Sequence, residues 1–351
     1  MFKYIKYLNP LVVYALAIIS FTNTGFLCWL VLIYSWVFVP LLELFIKPDI
    51  KNMSAAEEEL SKNDRLYDYL LYVIVFLQIP TLFFFLYSFT NSSLQIVDII
   101  GRITAMGMLC GTFGINVAHE LGHRKNRFEQ SLAKISLLSS LYMHFFIEHN
   151  KGHHKNVATP NDPSSARYNE WVYVFYFRTI VFSYLSAWHI ANHEMKKQGL
   201  SFLNIKNEML QAQIIQLAFV IAVYVFFGGW VTLYFVAAAF MGILLLETVN
   251  YIEHYGLQRK PTGENKFERT MPNHSWNSNH VIGRLLLFEL SRHSDHHYLA
   301  SRKYQILKHH NDAPQLPTGY PGSMLLALIP PLWCGIMNKK ILDIETMEIK
   351  K

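Results

Sequence analysis

Histidine is the residue whose number and spacing are unusual in this sequence, since sixteen of the 351 residues are histidine. Nine of them fall in four short motifs, which are HELGH (119–123), EHNKGHH (148–154), NYIEHYG (250–256) and RHSDHH (292–297). Residues three or four apart share one face of a helix, so each multi-histidine motif can direct two or three imidazoles to one point. Neutral imidazole is a ligand for zinc, iron, copper and nickel. The four motifs therefore predict a metal site.

The number of motif histidines indicates which kind of metal site this is. The predicted ligands are His119, His123, His149, His153, His154, His254, His293, His296 and His297. HExxH alone is typical of zinc proteases, where the glutamate is the general base, but a catalytic zinc needs only about three protein ligands. Nine imidazoles suit two six-coordinate redox metals, and iron in particular. An intramembrane zinc metalloprotease and a non-enzymatic metal carrier or sensor remain alternatives.

Acidic residues and two further histidines lie beside the predicted ligands. A carboxylate that accepts a ring N–H orients a ligand histidine and strengthens its binding. We therefore expect supporting positions around the metals for Glu120, Glu148, Glu253, Asp295, His274 and His280. Glu253 is also a candidate for direct ligation, since it adjoins His254.

The histidines outside the motifs are expected to have other roles. His189 and His193 repeat the four-residue spacing without a motif, and we expect no ligation from them. His144 is expected in the core, and His309 and His310 on the surface. Basic residues near the last motif could receive an acidic electron-transfer protein, with solvated surface charge as the alternative. They are Arg284, Arg292, Arg302, Lys303 and Lys308.

Long apolar segments must position these motifs. The sequence is 52% hydrophobic and only 16% charged, whereas soluble domains are about 25% charged. Because about 20 apolar residues cross a bilayer, we predict an all-α polytopic membrane protein with about six transmembrane helices. Their expected ranges are 8–22, 26–46, 66–89, 95–118, 208–227 and 230–252. We expect the whole chain, 1–351, to form a single integral-membrane domain whose catalytic parts are 119–207 and 253–351.

The requirement for one metal site fixes the predicted topology. Hydropathy leaves the stretches 132–146 and 172–190 ambiguous, but a crossing by either would separate the histidine motifs across the membrane. The expected outer loops, at 22–25, 90–94 and 228–229, contain no lysine or arginine. The positive-inside rule therefore places both termini and a histidine-rich, helical di-metal domain in the cytoplasm. Arg102, near Asp98 at the outer end of the fourth helix, is the exception.

The three cysteines exclude other kinds of redox site. Cys28, Cys110 and Cys334 are far apart and form no CxxC pair, so neither a disulfide framework nor an iron–sulfur site is expected. The net charge of +6 suits a protein beside anionic lipid. Nothing in the composition suggests nucleic-acid binding.

The motifs as a set resemble those of the membrane-bound alkane 1-monooxygenases, within the integral-membrane di-iron desaturases and hydroxylases. The similarity covers HELGHR, EHNKGHH, NYIEHYGLQR, HSWNSNH, SRHSDHH and DAPQLPTGYPG, from about residue 95 to 325. NYIEHYGLQR (250–259) resembles the segment that separates alkane hydroxylases from desaturases. Arg124 stands where the family often has lysine, and Ser291 where it usually has glutamine; neither is a predicted ligand.

This resemblance implies O2-dependent terminal hydroxylation of medium-chain n-alkanes to 1-alkanols at a non-haem di-iron centre. Rubredoxin, reduced by an NAD(P)H-dependent rubredoxin reductase, would supply the electrons. It also implies a bacterial inner-membrane protein with a cytoplasmic active site, which takes its n-alkane from the membrane lipid. Related di-iron hydroxylases or desaturases that act on alkyl aromatics or fatty acyl chains are the alternative within the class.

Overall fold

Six long apolar helices form the framework of the protein. The computed structural model describes residues 2–90 and 93–349, which are almost entirely helical. Within them, six helices are long and apolar enough to cross a membrane, as predicted. They are α1 (Lys3–Thr22), α2 (Gly25–Phe45), α3 (Leu66–Tyr87), α4 (Ile96–Gly122), α5 (Glu208–Phe227) and α6 (Gly229–His254). The chain is therefore an all-α polytopic membrane protein.

Shorter elements join these helices or follow them. The short helices are Ala55–Lys62, Arg127–Leu138, Phe145–Glu148, His154–Asn156, Val281–Leu286, His293–Tyr298 and Tyr320–Ala327, and the longer ones are Val172–Lys197 and Pro330–Ile349. Single turns of 3₁₀-helix lie at Pro272–His274 and Tyr304–Ile306. In the described residues, the strands are one antiparallel hairpin of Pro261–Gly263 and Lys266–Phe267.

Two of the long helices continue into the histidine motifs. The sequence predicted that the fourth and sixth helices end at residues 118 and 252, but α4 ends at Gly122 and α6 at His254. His119 therefore lies in the last turn of α4, and His254 is the last residue of α6. A π-helical turn, Cys110–Ile115, lies within α4 before the motif. Such turns are rare and often lie at functional sites.

Glycine residues allow α4 and α6 to pack closely. A Cβ atom at Gly111 would lie 2.8 Å from the Cβ atom of Leu245, and one at Gly242 would lie 2.6 Å from the Cβ atom of Cys110. Real side chains cannot approach so closely, so these positions require glycine. Contact through small residues is the usual means by which membrane helices associate.

The two ambiguous stretches are not among the six apolar helices, as predicted. Residues 132–146 contain the end of the helix Arg127–Leu138, which has only 12 residues, and then irregular turns. The helix Val172–Lys197 has 26 residues but is not apolar enough to be one of the six spans. The sequence did not predict the helices at the C-terminal end, where Tyr320–Ala327 and Pro330–Ile344 meet at a bend of 119°.

The chain divides into two compact units, each made of three segments. The first unit comprises Met1–Phe38, Asp64–Lys151 and Tyr184–Leu246. The second comprises Val39–Asn63, Gly152–Ser183 and Glu247–Lys351. Three of the nine predicted ligands therefore belong to the first unit and six to the second.

Arg102, the exception to the charge rule, is buried in the first unit. Its guanidinium donates hydrogen bonds to the carbonyl oxygens of Ser88 (2.5 Å) and Asn23 (2.9 Å), just beyond the ends of α3 and α1. Asp98 accepts from the backbone N–H groups of Gly25 (2.6 Å) and Gln95 (3.1 Å). Arg102 thus satisfies helix ends inside the protein and is not an exposed loop charge. The predicted outer loop 90–94 lies partly outside the described residues.

We expect the substitution Arg102→Met to destabilise the protein by about 1–3 kcal/mol, because two carbonyl groups at helix ends lose the donors of a buried guanidinium. Thermal unfolding of the purified protein in detergent measures this loss. Arg65→Met, at an exposed position, is the matched control and should change the unfolding temperature little. Equal effects of the two substitutions would contradict this assignment.

Candidate metal centre

Four buried histidines of the second unit direct their nitrogen atoms to one small region. His153, His254, His293 and His297 each offer one ligating nitrogen, and these four nitrogens all lie within 4.8 Å of one another. The Nε2 atoms of His153 and His297 are 3.3 Å apart, and those of His254 and His293 are 3.2 Å apart. None of the four residues is more than 6% exposed. Three separate parts of the chain therefore supply one cluster.

His154 and His296 form a further pair in the same unit. Their Nε2 atoms are 3.1 Å apart, and the ring of His154 lies 4.5 Å from that of His297 between centroids. The short helix His293–Tyr298 places its three histidines on neighbouring faces, since they are three and four residues apart. All six predicted ligands of the second unit are thus close neighbours.

The three predicted ligands of the first unit also form one cluster. The ligating nitrogens of His119, His123 and His149 lie within 4.8 Å of one another, and the Nε2 atoms of His123 and His149 are 3.1 Å apart. His119 and His123 come from the end of α4, four residues apart on one face. His123 is half-buried and lines a cleft of about 370 Å³ together with Arg124 and Lys151.

Asp162 orients one of the clustered imidazoles. Its Oδ2 atom lies 2.9 Å from Nδ1 of His153 and accepts a hydrogen bond from Ser165 Oγ at 2.6 Å. Burial alone would raise the pKa of Asp162, but His153 and the hydrogen bonds hold it below its usual range. An ionised Asp162 keeps the proton of His153 on Nδ1, which leaves Nε2 unprotonated and able to act as a ligand. Asp162 lies outside the sequence motifs and was not predicted.

Glu253 lies beside the imidazole of His293, next to its Nε2 atom. Its Oε2 atom is 3.1 Å from Nε2 of His293, and its Oε1 atom accepts a hydrogen bond from the hydroxyl of Tyr320 at 2.7 Å. Nε2 is also the nitrogen of His293 that faces His254. The carboxylate of Glu253 therefore lies next to the same nitrogen that would bind a metal. This position favours direct ligation by Glu253 over a hydrogen bond from a ring N–H.

This set of donors fits a metal ion that takes several imidazole ligands. Burial and the neighbouring imidazoles hold the pKa of His297 well below its usual range, so the ring is neutral. A metal binds only deprotonated nitrogen, and it also stabilises lone pairs that converge away from water. The residues present are therefore those that a buried metal centre requires.

Comparison with known proteins identifies the family. Residues 99–323 match the family model described as "Fatty acid desaturase". The chain is 38% identical to the alkane 1-monooxygenase of Acinetobacter baylyi over 307 residues, which are 88% of this chain and 75% of that protein. It is 36% identical to alkane 1-monooxygenase 1 of Alcanivorax borkumensis over 332 residues, which are 94% and 82% of the two chains. This chain belongs to the alkane 1-monooxygenase family.

A more distant relative has a different name. The hydroxylase component of the xylene/toluene monooxygenase of Pseudomonas putida is 28% identical over 243 residues, which are 69% of this chain and 64% of that protein. The resemblance inferred from the histidine motifs is confirmed by these comparisons, and the chain is an enzyme of the monooxygenase type.

Within this alkane 1-monooxygenase-family chain, Asp295 anchors the helix that carries three histidines. It is fully buried, and its carboxylate accepts hydrogen bonds from Arg302 (2.7 and 2.8 Å) and from the backbone N–H of Lys308 (2.9 Å). Nε2 of His310 lies 2.6 Å from it. The described partners of Asp295 thus tie the ligand helix to segment 302–310. His310, which was expected on the surface, is half-buried in this contact.

Glu120 forms an ion pair with a buried arginine. Its Oε1 atom lies 2.5 Å from Arg124, whose guanidinium also lies 3.4 Å from Asp68. In a zinc protease the corresponding glutamate must be presented to a water molecule. The carboxylate of Glu120 is instead paired with Arg124, and this pairing argues against a zinc protease. Glu148, also buried, has Ser186 Oγ at 3.4 Å.

His274 and His280 make their described contacts within their own loop. Nδ1 of His274 accepts a hydrogen bond from the backbone N–H of Met271 at 3.0 Å, and its Nε2 atom lies 3.2 Å from Glu268. Nδ1 of His280 lies 3.1 Å from Ser278 Oγ, and burial lowers the pKa of His280. Supporting positions around a metal therefore stay a prediction for these two residues.

The structure corrects the predicted basic docking surface. Arg284 and Arg292 are buried, so they cannot receive a partner protein. Arg284 donates a 2.7 Å hydrogen bond to the backbone oxygen of Asp49, and Arg292 donates one of the same length to that of Leu307. Both arginines therefore bind backbone carbonyl groups of the second unit.

Three of the histidines outside the motifs lie on an exposed helix face or in the core. His189 and His193 are exposed on the helix Val172–Lys197, and neither belongs to a metal-binding group in the described residues. His144 is buried between the rings of Tyr142 and Tyr184. Burial lowers the pKa of His144 to about 4.

The lowered pKa of His144 predicts a loss of stability in acid. The unfolded chain binds a proton at His144 below about pH 6.5, but the folded chain does not until the pH approaches 4. His144 therefore destabilises the fold progressively as the pH falls through this range, by about 2 kcal/mol at pH 5. The difference between the unfolding temperatures at pH 7.5 and pH 5 should be larger in the wild type than in His144→Leu. An identical pH dependence would refute this prediction.

Removal of the Tyr320 hydroxyl should loosen metal binding. In Tyr320→Phe the carboxylate of Glu253 loses its donor and its fixed orientation, and such losses beside a metal weaken affinity by about 10-fold or more. Metal release to a chelator measures the change. Tyr304→Phe, a similarly buried tyrosine of the same unit, is the control, and equal release rates in the two variants would contradict the role of Tyr320.

Proposed function

We propose that this chain catalyses O2-dependent hydroxylation of the terminal carbon of medium-chain n-alkanes, which yields 1-alkanols. The observation that carries the proposal is the buried convergence of His153, His254, His293 and His297 in a member of the alkane 1-monooxygenase family. An alkane has no polar group on which acid–base catalysis can act, so its oxidation requires a redox cofactor.

We propose two non-haem iron ions as that cofactor, with the nine motif histidines as ligands and Glu253 as a further candidate. Bound iron would supply the redox chemistry that activates O2. The protein residues would hold and orient it. Burial keeps the imidazole of His297 neutral, and Asp162 fixes the proton of His153 on Nδ1. The side chains around the four buried histidines would exclude water that competes with substrate.

The chain is proposed to act as one integral-membrane domain in the bacterial inner membrane, with the catalytic parts 119–207 and 253–351 on the cytoplasmic side. The absence of lysine and arginine from the short loops 22–25 and 228–229 supports this orientation. Rubredoxin, with its NAD(P)H-dependent reductase, is the proposed electron donor. The n-alkane would come from the bilayer, where apolar molecules concentrate.

Alkyl aromatic compounds are the second candidate substrates, because the xylene/toluene monooxygenase component is also a relative. Its identity of 28% is lower than the 36–38% of the two alkane 1-monooxygenases. This difference favours alkanes.

The proposal is tested by product analysis with the complete electron-transfer chain. Membranes that contain the protein receive NADH, rubredoxin, rubredoxin reductase and O2, with octane, dodecane, xylene or a fatty acid as substrate. We expect a 1-alkanol from the n-alkanes. The variant His296→Ala should abolish the product, whereas His189→Ala, at an exposed position outside the cluster, should not.

Metal analysis of the same purified protein separates the alternatives. Two irons per chain without any 1-alkanol would refute alkane hydroxylation, but the proposal of a di-iron centre would still hold. Zinc without iron would refute the centre itself and favour a hydrolase.

A further inference from the structure

We propose that Arg178, on the helix Val172–Lys197, is a positioning residue that holds Asp162 against His153 and thereby fixes one ligand of the metal centre. This arginine belongs to none of the sequence motifs. The inference rests on the proposed metal centre but not on the identity of the substrate.

Arg178 clamps the loop that follows Asp162. Its Nε and Nη2 atoms donate to the two carboxylate oxygens of Glu170, both at 2.7 Å. Nη1 donates to the backbone oxygen of Pro163, and Nη2 also donates to that of Ser165, both at 2.9 Å. The side chains of Arg178 and Glu170 are only 12% and 8% exposed. One guanidinium therefore fixes both ends of segment 163–170.

The clamped segment holds the carboxylate of Asp162 directly. The backbone N–H of Ser164 donates to Oδ1 of Asp162 at 3.1 Å, and Ser165 Oγ donates to Oδ2 at 2.6 Å. Oδ2 is also the atom that lies 2.9 Å from Nδ1 of His153. Because Arg178 binds the carbonyl groups of residues 163 and 165, it fixes the peptide unit before Ser164 and the peptide unit after Ser165. A shift of this loop would move Asp162 away from His153.

The neighbouring residues on the same helix reinforce the clamp. The hydroxyl oxygens of Thr179 and Ser183 lie 3.4 and 3.2 Å from Ser164 Oγ. Thr179 Oγ1 in turn donates to Glu247 at 2.9 Å. Glu247 lies on α6, seven residues before His254. The clamp therefore belongs to a buried polar network that links the loop to the helix of a second predicted ligand.

Arginine is required for this geometry, because its planar fork satisfies four acceptors at once. A lysine ammonium at position 178 has three donors at a single point and cannot bind both carboxylate oxygens in the same arrangement. We therefore expect Arg178→Lys to restore only part of the function that Arg178→Gln loses.

The test measures how fast the purified, metal-loaded protein releases its metal to an excess of chelator. Asp162→Asn should speed release by about 10–100-fold, the usual effect of removing a carboxylate partner of a ligand histidine. We expect Arg178→Gln to speed release by about 10-fold and Arg178→Lys by less. Arg167→Gln removes the same charge from an exposed position on the same loop and should leave the rate unchanged.

A double variant shows whether Arg178 acts through Asp162. If it does, Arg178→Gln combined with Asp162→Asn releases metal no faster than Asp162→Asn alone, since the interaction is already lost. Multiplied effects in the double variant would overturn the proposal, because Arg178 would then act on the fold in general. A release rate in Arg178→Gln equal to that of Arg167→Gln would also overturn it. If Arg178→Gln does not fold, the same comparison with Arg178→Lys decides.

Failure of the proposed role of Arg178 can be distinguished from failure of the proposed function. A wild-type protein that holds a metal other than iron refutes the di-iron proposal, and release of that metal still tests Arg178. Iron-loaded wild type with unchanged release in the variants refutes the role of Arg178 alone. A wild type that binds no metal overturns both proposals.

Discussion

Imidazole rings that are packed side by side away from water must be neutral, because protonated rings would repel one another and lose their hydration. The four-histidine cluster of the second unit meets this constraint through burial and through Asp162, whose carboxylate accepts a hydrogen bond from Nδ1–H of His153. Much of the surrounding structure serves the same constraint. The loop 163–170 holds Asp162, Arg178 holds that loop, and Asp295 holds the helix with three histidines. The chemistry of the ligands thus explains why so many charged side chains are buried in this unit.

The sequence predicted the framework well because the signals for it are local. Each spanning helix is a continuous apolar segment, and spacings of three and four residues place His119 with His123 and His293 with His296 and His297 on shared helix faces. The family motifs added the nature of the reaction. These signals need no knowledge of which segments meet in the folded chain, so all six helices were predicted and the nine clustered histidines were named. Their division into two clusters was not predicted.

The predictions that failed or were missing depend on contacts that neither helical spacing nor a motif encodes. Asp162 lies in an ordinary polar turn, TPNDP, and only the fold brings it to His153. In the sequence, Arg284 and Arg292 look like part of a basic surface. In the fold both are buried and donate hydrogen bonds to the backbone oxygens of Asp49 and Leu307. An unsatisfied buried carbonyl group leaves no trace in the sequence. Its partner arginine therefore cannot be distinguished from an exposed one before the fold is known.

The close packing of α4 against α6 limits the ways in which an oily molecule can enter the protein. At Gly111 and Gly242 the two helices touch through backbone atoms, with less room than a single methyl group needs. A hydrocarbon chain is wider than a methyl group, so this seam is closed to it as long as the helices stay together. An alkane taken from the bilayer, as proposed, would have to avoid these two contacts. Substitutions that enlarge Gly111 or Gly242 should therefore separate the two helices.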